Sequence, residues 1–528
     1  MKIRYILLLI ITVLGVSSCY DDKGNYSYDP KNDIKITFDA SYFEAILGEK
    51  IKLTPRLTFA IDSNDVDLSY KWTFLGKEIS DQRNLEWVVD TVTSNHNVYL
   101  NVTDNRTGVT FSGGISAMLS SAYAKEAWVV LAKQNGKSVL SYIRETQEDD
   151  GSEYGKFTYT DIPDIYQLVN GEELGTEPVR VLEHFAARGG IGHFWVLQNG
   201  GQGCVDLSGE DFTKDILLND IFLDGNLPVD FKPIDMIDMK WLTCVVNHDG
   251  KVYTRKKLTN QLYNSGYFID RPLEFENEEV DGSRMVLAPF SDLNYTVMYD
   301  KVHNRFLAIA DLKKETAGKV VKFTVDESGY APDFARLDNL GNMEVLHTGY
   351  YEVKEGESGD QGYYSILRDR TTGNYYTHDF RVNAMSESSA PSAFPVLQRQ
   401  IDLNQVINGT SKNVFNVLRS WVYGDDFGTP YVLISKDNEL WLYDRDAKMP
   451  VEKYYEFPQG QIITAIDSES VGSRRVAIGM QSGEFYVLDL TRKAVNGQKE
   501  KLIYASTHNF GEIVHIRYKV CSGNGWGY

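Results

Sequence analysis

The chain has 528 residues, with 54 lysines and arginines against 74 aspartates and glutamates, and a formal net charge of −20. A surface this acidic repels phosphate backbones, so we expect no nucleic-acid partner. The four cysteines lack metal-ligand spacing and cannot supply a disulfide framework, so a hydrophobic core must hold the fold.

Residues 1–18 have the pattern of a bacterial export signal. Lys2 and Arg4 supply positive charge, and the apolar stretch 6–16 is too short to span a bilayer with ordinary flanks. The run Val-Ser-Ser-Cys that ends at Cys19 resembles a lipobox, whose cysteine is lipidated and becomes the mature N-terminus. The alternative is an ordinary signal followed by a chance cysteine. Acyl chains on Cys19 would anchor the protein without spanning the membrane.

An acidic pair, Asp21 and Asp22, follows directly after this cysteine. An acidic pair at this place resembles the surface-export signal of Bacteroidota lipoproteins. The resemblance predicts a lipid-anchored protein on the extracellular side of the outer membrane, with residues 19–33 as a lipidated linker.

Short alternating strands occupy residues 34–112. Leu68, Tyr70, Trp72 and Phe74 fall on one face of a strand, and apolar residues alternate again from Val98 onward. With a core tryptophan and no cysteine pair, this pattern predicts an immunoglobulin-like sandwich, and its tyrosine–tryptophan strand resembles that of a PKD domain. We expect this module to act as a spacer.

The lipobox, the following Tyr-Asp-Asp-Lys-Gly-Asn-Tyr and the PKD-type module, with repeated hairpins after them, together resemble the PKD-like family lipoproteins of Bacteroidota. The resemblance implies a role beside a SusC/SusD-type, TonB-dependent uptake system for glycans or peptides. Such a transporter complex is therefore the expected protein partner.

Seven β-hairpins, each with a polar or glycine-containing turn, recur through the rest of the chain. They lie at 128–143, 194–207, 242–255, 295–310, 363–379, 431–444 and 475–490. All but the first have an apolar strand before them, and strand 513–519 has no hairpin of its own. The pattern predicts an all-β protein in which residues 125–528 form a seven-bladed propeller closed by the C-terminal strand. The rival interpretation is an open β-solenoid.

Motifs for catalysis are lacking. The nine histidines show no HExxH or equivalent spacing, no GxSxG elbow occurs, and abundant acidic pairs cannot be assigned as glycosidase carboxylates without geometry. We therefore predict no catalytic residue, no metal and no cofactor.

Aromatic residues are abundant, at 33 Tyr, 24 Phe and 8 Trp, and sugar rings stack on such side chains. Long connections between predicted blades, at 161–178, 219–232, 271–283 and 326–342, carry several of them. The opposite face offers a second site at an inner-strand end. The candidate ligand-binding residues are Tyr166, Phe222, Phe231, Tyr330 and Phe334 on the long-loop face, and Trp421, Tyr423 and Asp425 on the other. The alternative is that the loop aromatics fold back and fasten their own loops.

Three functions remain open from sequence. The favoured one is a surface lipoprotein that binds a glycan or peptide as an accessory to the uptake system. The others are a protein-binding scaffold subunit of that system and a propeller glycosidase or lyase. Exposed aromatics, a flat apolar patch or a compact polar cluster, respectively, would distinguish them.

Overall fold

A computed structural model describes residues 32–61, 66–148, 151, 156–185, 192–239, 241–258, 265–286, 295–311, 313–325, 334–351, 360–383, 392–418, 431–445, 450–469 and 474–520. The chain divides into two compact units, the first ending at Leu119 and the second beginning at Ser120. Within the described residues, no helix combines the length and the apolar character needed to cross a bilayer.

The first unit is a β-sandwich. Its strands are β1 (Ile34–Thr37), β2 (Tyr42–Ile46), β3 (Lys50–Leu53), β4 (Arg56–Phe59), β5 (Leu68–Phe74), β6 (Lys77–Ser80), β7 (Leu85–Val88), β8 (Thr93–Asp104) and β9 (Val109–Ser120). A five-stranded sheet, β2-β9-β8-β5-β6, is accompanied by the pairs β1-β4 and β3-β7. The sandwich continues past residue 112, its predicted end, because β9 pairs with β8 as far as Leu119.

The alternation seen in the sequence produces the core of this unit. Trp72, Val98 and Leu100 are fully buried, and Phe74 nearly so, because successive side chains of a strand point to opposite faces. The indole Nε1 of Trp72 donates to the carbonyl of Gln82 at 2.9 Å, which satisfies its one polar atom. The predicted role of Trp72 in an immunoglobulin-like core is confirmed.

The second unit is built from four-stranded antiparallel blades. The first three contain β10 (Ala127–Gln134), β11 (Lys137–Glu148) and β12 (Lys156–Ile162), then β13 (Thr176–Phe185), β14 (Gly192–Gly200), β15 (Val205–Ser208) and β16 (Lys214–Leu217), then β17 (Pro233–Asp238), β18 (Leu242–Asn247), β19 (Val252–Lys257) and β20 (Ser265–Phe268). Connections between them contain helix α1 (Ile165–Asn170) and two 3₁₀ turns, Leu218–Ile221 and Leu223–Gly225.

The short pair β21 (Glu274–Phe275) and β22 (Glu278–Glu279) precedes the fourth blade. The fourth blade contains β23 (Arg284–Val286), β24 (Tyr295–Asp300), β25 (Arg305–Ala310) and β26 (Val320–Lys322). The fifth contains β28 (Met343–Tyr351), β29 (Asp360–Asp369), β30 (Tyr375–Asn383) and β31 (Ser392–Ile401), and β27 (Thr324–Val325) pairs with β31 in parallel. The sixth contains β32 (Phe415–Val417), β33 (Tyr431–Lys436), β34 (Glu439–Asp444) and β35 (Glu452–Glu456), and the seventh β36 (Ile463–Ser468), β37 (Arg475–Met480), β38 (Phe485–Asp489) and β39 (Leu502–Ala505). The short helices α2 (Asn404–Ile407) and α3 (Arg492–Val495) lie in connections.

The last strand, β40 (Glu512–Lys519), completes the first blade. It pairs antiparallel with β10, from Ala127 opposite Lys519 to Lys133 opposite Glu512. Seven blades, six of four strands and one of five, are therefore present in the described part of the chain, and the predicted seven-bladed propeller closed by a C-terminal strand is confirmed.

Apolar layers between neighbouring blades hold the ring. Val129 and Leu131 of the first blade pack with Val181 and Phe194 of the second, and all four are fully buried. This explains why the central strands carry apolar residues on both faces, since each face is covered by another blade. Cys204 and Cys244 are free and buried, as predicted; Cys244 lies in β18, whereas Cys204 lies directly before β15 and not in a strand.

Candidate functional site

The inner strands of the blades surround a central channel of about 1340 Å³. Side chains from β13, β17, β23, β28, β32, β36 and β40 line it. We name this cavity the central channel and define it by Arg180, Asp235, Arg284, Glu344, Phe415, Asp467 and Arg517, which together represent these seven strands.

Strand alternation places polar groups in the channel. On β13, Arg180, Leu182 and His184 line the cavity and Val181 is buried in the core, although Glu183 also reaches the cavity. On β28 a bulge between Val345 and His347 interrupts the alternation and brings His347 to the cavity as well.

Charges of both signs line the channel. Arg180 pairs with Asp235 at 2.7 Å, and Arg517 lies 3.9 Å from both Asp467 and Glu183. Burial raises the pKa of Asp235, whereas Arg180 acts in the opposite sense. Both arginine side chains line the channel, and a guanidinium group has five N–H donors.

Arg284 adds a further positive charge to the channel. Desolvation lowers the pKa of Arg284, with Glu344 acting in the opposite sense. An arginine remains charged despite such a shift, and its planar guanidinium favours carboxylates. The channel can therefore bind a ligand that carries charge.

Two neutral histidines also line the channel. Burial, and then Arg284 and Arg180, lower the pKa of His347 to about 3, and its ring stacks on Phe415 with centroids 5.2 Å apart. Burial, with Arg180 and Arg517, also lowers the pKa of His515 well below its usual value. Near neutral pH both rings can accept or donate a hydrogen bond without adding charge.

A buried polar cluster lies beside the channel, between the second and third blades. His184, His193 and Asp206 bring one ligand atom each within 4.8 Å of one another, and among the described residues this group could hold a metal ion. Desolvation lowers the pKa of His184, but the carboxylates of Asp206 and Asp238 outweigh it and raise this pKa to about 9.

Three predicted ligand-binding aromatics are buried, so the expectation that they are exposed for stacking is wrong. Tyr166 is fully buried on α1 and donates its hydroxyl to Glu172 at 2.5 Å. Phe222 stacks on Phe268 with centroids 5.1 Å apart, and Phe334 packs against His378 with centroids 4.3 Å apart. These rings fold back and fasten their own connections, the alternative left open by the sequence.

Phe231 is half-buried, with its ring against Phe222 and Tyr253. The other candidates lie outside the described residues: Tyr330, Trp421, Tyr423, Asp425, the lipidation residue Cys19 and the export pair Asp21 and Asp22.

Sequence reasoning missed the channel residues and the buried cluster. Charged residues inside predicted inner strands, such as Arg180 and Asp235, were the available signal for the channel. The signal for the cluster was the position of His184 and His193 on either side of the connection between two strands, which makes them cross-strand partners.

A model of the PKD-like family matches residues 19–178, which include the sandwich and strands β10 to β12. No curated protein matches the chain. One similar solved structure is a quinonprotein alcohol dehydrogenase-like protein from Bacteroides thetaiotaomicron VPI-5482, with 12% identity, TM-score 0.38, and coverage of 92% of this chain and 99% of that one. Another is BamB from Moraxella catarrhalis, with 11% identity, TM-score 0.31, and coverage of 75% and 91%. The fold assignment rests on the strand pairing described above.

Proposed function

We propose that the propeller is a binding module whose central channel holds a short peptide without breaking a bond in it. The observation that carries this proposal is the mixed charge of the channel, with Arg284 and Arg517 among carboxylates on neighbouring inner strands. A peptide carries a positive and a negative end, which such a lining complements. At about 1340 Å³ the channel also exceeds the roughly 300–1,000 Å³ of sites for drug-sized ligands, which suits an oligomer.

The cellular role in this proposal is nutrient capture. The protein is a lipoprotein anchored through Cys19 on the outer face of the outer membrane, and it passes its ligand to a SusC/SusD-type transporter. The resemblance of the N-terminal motifs to Bacteroidota surface lipoproteins supports this role, and the match of residues 19–178 to the PKD-like family agrees with it.

Titration calorimetry with zwitterionic tetra- to hexapeptides tests the channel. We expect Arg284→Gln and Arg517→Gln each to weaken binding about tenfold or more, because hydrogen bonds to charged groups contribute roughly 1.5–3 kcal/mol. Arg56→Gln, an exposed arginine of the sandwich, is the matched control and should bind normally. If Arg284→Gln and Arg517→Gln bind the peptide as tightly as the control Arg56→Gln and the parent protein do, the channel is excluded as the peptide site.

Glycan binding is the second candidate, and one observation in the sandwich favours it. Tyr99 is 44% exposed and lies over Gly114, where a Cβ atom would come within 2.9 Å of the ring. The ring borders a pocket of about 640 Å³ that Asn95, Asn97 and Ser116 also line. An exposed ring surrounded by neutral amide and hydroxyl groups suits an uncharged sugar.

Neutral oligosaccharides in the same calorimetry distinguish the two candidates. Binding that is lost in Tyr99→Ala and kept in Arg284→Gln would assign a glycan to the sandwich. Turnover of any peptide or sugar would favour an enzyme, and the absence of binding across the whole panel would favour a protein-binding scaffold.

A further inference from the structure

The cluster of His184, His193 and Asp206 has the composition and spacing of a metal site. Asp206 Oδ1 lies 3.1 Å from His184 Nε2, and Asp206 Oδ2 lies 3.2 Å from His193 Nδ1. A tetrahedral zinc ion about 2.1 Å from its ligand atoms holds them roughly 3.4 Å apart. Only small side-chain movements would therefore be needed to place an ion between these three groups.

The orientation of Asp206 supports this interpretation. Its carboxylate is fully buried, and each oxygen faces a histidine nitrogen, Oδ1 that of His184 and Oδ2 that of His193. A buried carboxylate needs positive charge or hydrogen-bond donors beside it to offset its desolvation. A cation at the centre of the cluster would supply such charge to the carboxylate and bind both imidazoles.

A second layer of contacts orients His184 as it would a metal ligand. Its Nδ1 atom lies 3.5 Å from Asp238 Oδ2, so Nε2 can face the ion while Nδ1 faces a carboxylate. Asp238 in turn accepts from Lys257 Nζ at 2.5 Å and from Thr243 Oγ1 at 2.6 Å. Histidine ligands of metals commonly donate their other nitrogen to such a carboxylate.

The cluster is buried in the protein on one side and borders the channel on the other. His193 and Asp206 are fully buried on β14 and β15, whereas His184 and Trp195 border the central channel. Three protein ligands leave a fourth position on a tetrahedral ion, which water from the channel can fill.

From this geometry we propose that His184, His193 and Asp206 form a binding site for a divalent transition metal, zinc in the first place. Two imidazoles and one carboxylate suit zinc better than magnesium or calcium, which prefer oxygen ligands. The ion would join three strands of the second blade beside the channel. This inference does not depend on the channel ligand.

Metal content and zinc titration of the purified, chelator-treated protein test the site. We expect the parent protein to take up one equivalent of Zn²⁺, and Asp206→Asn and His193→Gln each to lose at least tenfold in affinity. Asp238→Asn, which changes the carboxylate behind His184 and leaves the three proposed ligands in place, should lose about 10- to 100-fold. His378→Gln is the matched control, since His378 is a buried histidine of the fifth blade that hydrogen bonds the carbonyl of Ala335.

X-ray absorption of the zinc-loaded parent protein covers the case in which the variants do not fold. Two imidazole ligands and oxygen ligands are expected, and a shell of oxygen alone would overturn the proposal. The proposal also fails if the parent binds no zinc, or if folded Asp206→Asn or His193→Gln binds it as tightly as the parent does.

Discussion

Trp128 on the first strand of the propeller packs edge-to-face against Tyr518 on its last strand, with ring centroids 4.6 Å apart. The two residues are also partners in the register of β10 and β40. Closure of the ring therefore depends on contacts between residues almost four hundred positions apart in sequence.

Deleting residues 512–528 should open the ring. The loss of β40 leaves the edge of β10 unpaired. It also removes Ile513 and Ile516 and so exposes the apolar residues that they cover, such as Val130 and Ala477. We expect aggregation or a large loss of thermal stability, measured by size-exclusion chromatography and calorimetry. A truncated protein that remains monomeric and melts like the parent would show that β40 is dispensable.

Gly479 on β37 faces the closing strand closely. A Cβ atom at this position would lie 2.4 Å from Cγ2 of Ile513, so Gly479→Ala should cost about 1–3 kcal/mol through overpacking. In an Ile513→Ala background the added methyl has room, and its cost should be smaller. Urea unfolding of the four proteins measures this coupling, and strict additivity would contradict the packing of β37 against β40.

Arg475 joins two buried carboxylates, with Nη1 3.1 Å from Glu145 Oε1 and Nη2 2.5 Å from Glu469 Oε2. Arg475→Met should cost about 3–5 kcal/mol, because it leaves buried charge uncompensated. Burial already raises the pKa of Glu145, with Arg475 opposing the shift, and loss of the arginine should raise this pKa further.

The cost of Arg475→Met should therefore depend on pH. Where the folded carboxyl group has a higher pKa than the unfolded one, stability falls as pH rises through that interval. The deficit should be largest near pH 7 and smaller near pH 5, measured by urea unfolding at both values. A deficit that is the same at both would argue against uncompensated carboxylates as its cause.

His347 should make stability fall on acidification. Burial lowers its pKa in the folded protein to about 3, whereas an unfolded histidine titrates near 6.5. Between these values the unfolded chain binds the extra proton, so stability declines by up to about 1.4 kcal/mol per pH unit as pH falls. His347→Gln should have a shallower decline than the parent in urea unfolding between about pH 6.5 and 4. Parallel curves would contradict a neutral buried histidine.

Cys19→Ala should release the protein from the membrane fraction, because the acyl chains on this cysteine are its only predicted anchor. Replacing Asp21 and Asp22 with alanine should leave the protein membrane-bound and protected from protease added to intact cells. Immunoblots of fractions and of protease-treated cells measure both effects. Protection of the unmodified protein from external protease would contradict a surface location.

The sandwich and the propeller could be predicted because their signals are local. Alternation in the strand that contains Trp72, and hairpin turns such as that at Gly483, depend on residues only a few positions apart. The closing strand could be predicted because the first hairpin, 128–143, has no apolar strand before it, and strand 513–519 has no hairpin of its own. Blade number follows from counting such units.

The functional residues could not be predicted in the same way. Phe222 is covered by Phe268, 46 positions later in the sequence, and no local pattern indicates that stacking. The cluster of His184, His193 and Asp206 depends on strand register across three strands of one blade, although each residue looks ordinary in sequence. Sequence reasoning therefore gave too much weight to loop aromatics as ligand-binding residues and too little to the charged residues of the inner strands.

Pairing of β10 with β40 also means that the first blade needs both ends of the propeller segment. The sandwich and the middle blades can form from neighbouring segments, but the first blade stays one strand short until residues 512–519 have been synthesised. Contacts so distant in sequence make folding slow, since a long loop must close before they stabilise anything. A chain that stops early exposes an unpaired strand edge, which distinguishes unfinished molecules from complete ones for proteases and chaperones.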